Sequence, residues 1–266
     1  MSKTLLKYVE VGRTNVRSRW AYVWDQVLST WFLAVILYVF VQLWKVTYAG
    51  QGALSLGGYT LADMIWYLVL TESIIFSLPR IHSVIEQEVR EGDLALRLNK
   101  PYNYLLFHYS QFLGDSLLRL ATCLLTGSLT AYLLIGSIAF PWRAVPVLLM
   151  IYLLTNGLNF ALNAAVGLGA FWMEDVTGPF FVVEKIKWLL GGLLLPIEMY
   201  PDAIRRVVEV LPFRYMVAGP ARLAIKFSWE GAGALLRSQA LWLVLFGLLC
   251  AGLYRMGVRK VDLNSG

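Results

Sequence analysis

The chain has 266 residues, of which 58% are hydrophobic and only 15% charged, with a mean hydropathy of +0.62. A soluble surface of that size needs more charge, so the composition excludes an ordinary water-soluble enzyme and points to a polytopic membrane protein with little chain left for an aqueous domain. The net charge of +6 does not mark a nucleic-acid binder, because the cations are scattered between apolar blocks and form no basic face. Anionic membrane lipids are the counterions expected.

In chain order, Met1 to Trp20 carries Lys3, Lys7, Arg13, Arg17 and Arg19 with no apolar h-region or small-residue cleavage site. Residues 1–22 therefore read as an interfacial amphipathic helix with Leu5, Leu6, Tyr8 and Val9 towards lipid. A hydropathy window predicts six spans, at 25–46, 61–79, 112–136, 145–171, 180–199 and 238–256. An even number puts both termini on one side. With the termini in the cytoplasm, 14 of the 23 Lys and Arg fall inside, which sets the expected orientation. Six of the eight outer cations, Arg205, Arg206, Arg214, Arg222, Lys226 and Arg237, lie in the last connection, 200–237. Pro196, Pro201, Pro212 and Pro220 divide that region into apolar pieces too short to cross a bilayer, which predicts re-entrant half-helices, with a plain surface loop as the alternative.

The segment Ile81 to Tyr104 is the most informative. Read as a helix, Ile81, Val84, Ile85 and Val89 make an apolar stripe while Glu86, Glu88, Arg90 and Glu91 face water; Gly92 breaks the helix, and Leu94, Leu96 and Leu98 lead to Lys100-Pro101. The pattern fits a docking helix or a solvated loop. No phosphate loop, HExxH, GxSxG or GxGxxG occurs, so no catalytic residue is assigned, and neither Cys123 and Cys250 nor His82 and His108 have metal-ligand spacing. Both histidines are expected at the membrane surface. Within the spans, Asp115 and Arg119 are spaced to form an i, i+4 ion pair, and Glu184 and Lys187 to form another. Glu72 lacks a local partner and is expected to meet Arg119 or Lys185 from another helix, or to line a pathway. Asn156, Asn159 and Asn163 share one helix face with Gly167, as interhelical contacts or as pathway lining.

The succession Glu86, Glu88, Gly92, Leu94, Leu98, Pro101 between the second and third of six spans resembles the coupling-helix region of ABC-2-type transporter permeases, the type V exporter architecture. The N-terminal segment resembles that family's elbow helix. Gly191-Gly192 to Pro196, Tyr200-Pro201 and Leu211-Pro212-Phe213 resemble its fifth span with re-entrant outer helices. The stretch Tyr254 to Gly266 resembles the basic tail of a bacterial subgroup whose permeases often work with a second permease and a separate ATPase. The resemblance implies an all-α integral membrane domain over 1–266, with the coupling region at 81–101 and the re-entrant segment at 200–237. It implies the membrane-spanning subunit of an ATP-driven exporter of amphiphilic or hydrophobic substrates, multi-pass in the bacterial inner membrane with both termini cytoplasmic. ATP and Mg²⁺ would be bound by ATP-binding cassette partner subunits, and a second copy or a related permease would complete a dimer. Residues Glu86 to Pro101, including Arg90 and Glu91, would receive the ATPase's movement, with Glu174-Asp175-Val176-Thr177 as a second contact or an ordinary turn. An ion-coupled secondary transporter using Glu72 and a non-transporting membrane scaffold are the rival readings.

Overall fold

A computed structural model describes residues 3–20, 28, 30–52, 54–98, 100, 102–136 and 140–264, and within these all side chains except those of 3–6, 19–20, 95–96, 98 and 261–264. The described chain is helical, with no strand beyond an isolated bridge between Leu56 and Tyr59. In order, the helices are α1 (Lys3–Trp20), α2 (Trp31–Gln51), α3 (Leu61–Phe76), α4 (Ile81–Arg90), α5 (Asp93–Leu98) and α6 (Tyr104–Ile135). They continue as α7 (Val145–Leu168), α8 (Thr177–Leu190), α9 (Asp202–Val210), α10 (Phe213–Met216), α11 (Ala218–Ile225) and α12 (Trp229–Asn264). Local chemistry sets several of the ends. Thr60 and Asp63 form a reciprocal capping box that starts α3, and Asn103 Oδ1 accepts from the Leu106 amide to start α6.

Among the described residues, five stretches are long and apolar enough to cross a bilayer: Trp31–Gln51, Leu61–Arg90, Tyr104–Ile135, Trp142–Phe171 and Trp229–Lys260. The protein is therefore an all-α, multi-pass integral membrane protein. Large apolar side chains on α2, such as Val35, Val39 and Val46, and on α12, such as Leu241, Val244 and Leu248, are exposed, as lipid-facing residues must be. α7 runs through the centre and packs against α4, α11 and α12.

The segment expected as a span at 180–199 folds differently. α8 has 14 residues, roughly 21 Å of helix against the roughly 30 Å of a hydrocarbon core. The chain then turns at Gly191-Gly192, with Gly192 at φ +73°. Three of the freed carbonyls find donors from other helices: the Tyr67 hydroxyl bonds Gly192, Thr71 Oγ1 bonds Leu193 at 2.8 Å, and the Ala218 amide bonds Gly191 at 3.0 Å. Non-helical backbone can lie deep in a membrane protein when its neighbours satisfy it in this way.

The last connection is also shorter than the hydropathy window predicts. α12 begins at Trp229 and runs for 36 residues, so Arg237 stands on a helix and not in a loop. The proline-bounded pieces separate by environment. α11 buries Ala218, Pro220, Ala221, Leu223 and Ala224 against α3, α7 and α12, whereas α9 buries only Val208 and exposes Ile204, Val207 and Val210.

At the N-terminus, α1 crosses α6 at a pair of glycines, where a Cβ on Gly114 would stand 2.8 Å from the Gly12 carbonyl oxygen. Asn15 Nδ2 donates to the Gln111 carbonyl and the Asn103 amide donates to the Tyr8 hydroxyl, both at 2.9 Å. Tyr8 thus anchors α1 to α6 instead of pointing freely to lipid. Val9 is exposed as expected, and the Leu5 and Leu6 side chains lie outside the described residues.

Candidate functional site

Ser77 to Arg80, with Pro79, separates α3 from α4, and Gly92 turns α4 into α5. Gly92 has φ +79° with open space where a Cβ would stand, so the requirement for glycine comes from backbone conformation and not from crowding. Gly92→Ala is expected to cost about 1 kcal/mol. It should show as faster amide exchange confined to 86–98, and unchanged exchange there would contradict the assignment.

The orientation of α4 corrects the helical-wheel expectation. Ile81 and Ile85 are buried and Val89 half-buried, but Val84 is exposed, while Glu86 and Glu88 point inward and not to water. Glu88 is the hub of a buried polar cluster. Its Oε1 accepts from Arg97 Nη2 at 2.8 Å, and its Oε2 accepts from the Tyr104 hydroxyl at 2.7 Å and from His108 Nε2 at 3.0 Å. An ionised carboxylate only accepts, so Nε2 is the protonated ring nitrogen of His108. One carboxylate therefore ties α4 to α5 and to the first turns of α6. Glu86 Oε1 accepts from the Val176 amide at 3.4 Å and lies 3.9 Å from Arg90 Nη1, which joins α4 to the turn before α8.

That turn brings Glu174 and Asp175 to the surface beside α4, with Val176 fully buried between them and Thr177. The Thr177 side chain and amide hydrogen-bond Asp175 and hold its carboxyl below the usual aspartate range. His82 and His108 are both buried, correcting the surface expectation; His82 stacks on Phe180 with ring centroids 3.4 Å apart. α4 lies almost against the backbone of α7, since a Cβ on Gly167 would meet His82 Cα and O at 3.0 Å and Ile85 Cβ at 3.1 Å. The end of α12 closes the platform. Tyr254 stacks on Tyr104 at 5.5 Å, and Lys260 Nζ donates to the Phe171 carbonyl at 2.9 Å.

What remains open to solvent is one face: Ser83, Val84, Gln87, Arg90, Glu91, Gly92 and Asp93, with Gln87 Nε2 donating to Glu91 Oε1 at 2.8 Å. Leu94 is buried beneath it, whereas the Leu98 side chain and Pro101 lie outside the described residues. The arrangement offers a rigidly mounted, mixed-charge ridge whose underside is wired to α6, α7, α8 and α12. It presents no reacting group with an adjacent base. What it offers is a surface for contact.

A family model described as ABC-2 family transporter protein matches residues 32–265. The chain belongs to the ABC-2 transporter family. A comparison with curated proteins finds no match.

The remaining polar residues singled out in this ABC-2 permease lie inside the helix bundle. Arg119 Nη2 is 3.3 Å from Asp115 Oδ2. Asn156, Asn159 and Asn163 are all buried: Asn156 Nδ2 donates to Ser116 Oγ at 2.7 Å, Asn159 Nδ2 to its own helix at Thr155 O at 2.9 Å, and Asn159 Oδ1 accepts from Lys187 Nζ at 3.2 Å. Lys187 is fully buried and pairs with Glu184, as their spacing predicts. Gln239 Nε2 on α12 joins the layer by donating to Thr155 Oγ1 and the Tyr215 carbonyl, both at 2.9 Å. Asn156 and Asn159 thus contact α6 and α8, and the adjacent Thr155 contacts α12. Glu72 is buried and makes no hydrogen bond or ion pair with a described residue; Arg119 is occupied by Asp115, and Lys185 lies over the Trp188 ring at 3.7 Å. Among the residues that periodicity did not single out, Arg97, Tyr104 and Val176 matter most, because their roles depend on partners from other helices.

Proposed function

We propose that this ABC-2 permease is the membrane-spanning subunit of an ATP-driven exporter, with α4 and α5 as the coupling segment and α1 as the elbow helix. The carrying observation is the α4 ridge, solvent-facing on one side and fixed on the other through Glu88 to α6, through Gly167 to α7 and through Glu86 to the turn before α8. A push on such a ridge moves helices and not a loop. ATP and Mg²⁺ belong to separate ATP-binding cassette subunits docking there, with Glu174 and Asp175 as a second point of contact. In this reading α8 and the broken segment after Gly191 together make the sixth crossing, and both termini and the α4 ridge face the cytoplasm of a bacterial cell. The apolar exposed faces of the spans support pairing with a second copy or a related permease around an amphiphilic substrate.

The test is co-purification. Tagged protein drawn from its native membrane should carry ATP-hydrolysing subunits, and the pair Val84→Asp with Gln87→Ala, both on the exposed face, should lower their recovery about tenfold or more. Full recovery with that double variant, or intact association after Glu86 to Lys100 is exchanged for a Gly/Ser linker, would remove the coupling assignment.

A further inference from the structure

At the end of α12 remote from the α4 ridge, a cavity of about 340 Å³ opens between α10, α11, Ile197-Glu198 and the first turns of α12. Its charged lining is Arg205, Arg214, Arg222, Lys226, Glu198 and Glu209. Both acids are already matched: Arg205 Nε lies 3.0 Å from Glu209 Oε1 and Arg222 Nε 2.6 Å from Glu198 Oε1. Among the described residues the other two cations have only neutral partners. Arg214 lies 5.2 Å from the Tyr215 ring centre, and Lys226 lies 3.7 Å from that of Tyr59 while donating to the Gly58 carbonyl. The lining therefore carries two positive charges in excess, in a concavity walled by apolar Ile197, Leu223 and Leu235, where the field on an entering anion is least screened.

These four cations are among those that count against the positive-inside rule, so their gathering around one cavity supplies a local use for charge that topology disfavours. The mouth of the cavity also has a direction. Ala234 and Ser238 line it, and Leu241, Leu245 and Leu248 continue the same ridge of α12 at helical spacing, all three exposed and apolar. A charged head held in the cavity would place its hydrocarbon along that ridge.

We propose that the cavity seats the anionic head of an amphiphile, a phosphate-bearing lipid whose chains run down α12. This stands on the membrane placement of α12 and does not need an ATPase partner, so it survives or fails independently of the coupling assignment. The probes are dioleoyl phosphatidylglycerol and dioleoyl phosphatidylcholine offered separately to the purified full chain in neutral detergent, with bound lipid read by native mass spectrometry. The phosphatidylglycerol should be retained about tenfold better, as one charge-assisted contact allows. Arg214→Gln with Lys226→Gln should abolish the preference, while Arg143→Gln, an exposed cation outside the cavity, should leave it intact. Arg214→Lys, which keeps the charge, should also retain it, separating charge loss from misfolding. Equal retention of the two lipids, or a preference that persists in the double glutamine variant, overturns the proposal. Displacement by millimolar inorganic phosphate would assign the cavity to a free anion and overturn the lipid as occupant; undisturbed phosphatidylglycerol supports it.

Discussion

Replacing Glu88 with alanine is expected to destabilise the protein by roughly 2–4 kcal/mol, the largest loss of any single side chain on the α4 ridge. The carboxylate satisfies three donors at once, from Arg97, Tyr104 and His108, and its removal leaves a guanidinium, a hydroxyl and a ring N–H facing a void. The figure stays below that for a wholly buried ion pair because the Arg97 side chain retains 28% exposure and can turn to water. Glu88→Gln should cost less, since the amide still accepts one bond but sets its own N–H₂ against a donor. Thermal unfolding of the detergent-purified protein is the measurement, with Glu91→Ala on the exposed face as the reference change. If Glu88→Ala melts together with Glu91→Ala, the cluster does not hold α4 and α5 to α6.

Gly167→Leu is expected to lift α4 off α7 at a cost of about 1–3 kcal/mol. The obstruction is backbone, His82 Cα and O, together with the Cβ of Ile85, so rotamer changes cannot relieve it. His82 is held further by its stack on Phe180, and the displaced helix would draw Glu86 away from the Val176 amide. Amide exchange over 81–90 should rise strongly in Gly167→Leu and remain unchanged in Gly252→Leu, where a Cβ meets nothing within 4 Å. Equal exchange in the two variants would mean that α7 does not support the ridge.

Much of the architecture is legible along the chain. An apolar stretch of twenty or more residues forms a helix in lipid whatever its neighbours are, because the bilayer offers its backbone no other partner, and five such stretches fall where hydropathy places them. The i, i+4 spacing of Asp115 and Arg119 is likewise a local fact, and their side chains lie 3.3 Å apart. The segment from Glu86 to Gly92 can be singled out by its charge and its glycine before any coordinates are known.

The sequence by itself thus determined that this chain lives in a membrane, that it carries a charged helix between its second and third apolar stretches, and that it has no phosphate loop of its own. Only the tertiary structure decided which way that helix faces. A helical wheel sends every carboxylate to water, since an unpaired buried charge is costly; Glu88 goes inward because Tyr104 and His108, 16 and 20 residues further on, supply the donors that repay its desolvation. The same distinction explains the break at Gly191-Gly192. Hydropathy sees a continuous apolar run there, but Tyr67 and Thr71 of α3, more than 120 residues earlier, satisfy the carbonyls that let the helix end after 14 residues. It also bears on the cations of the last connection, which a count along the chain records as exceptions to topology and four of which, Arg205, Arg214, Arg222 and Lys226, the fold gathers around a single cavity. Hydropathy and periodicity are sums over neighbours in sequence, whereas the burial of charge and of broken backbone depends on partners that only folding brings near.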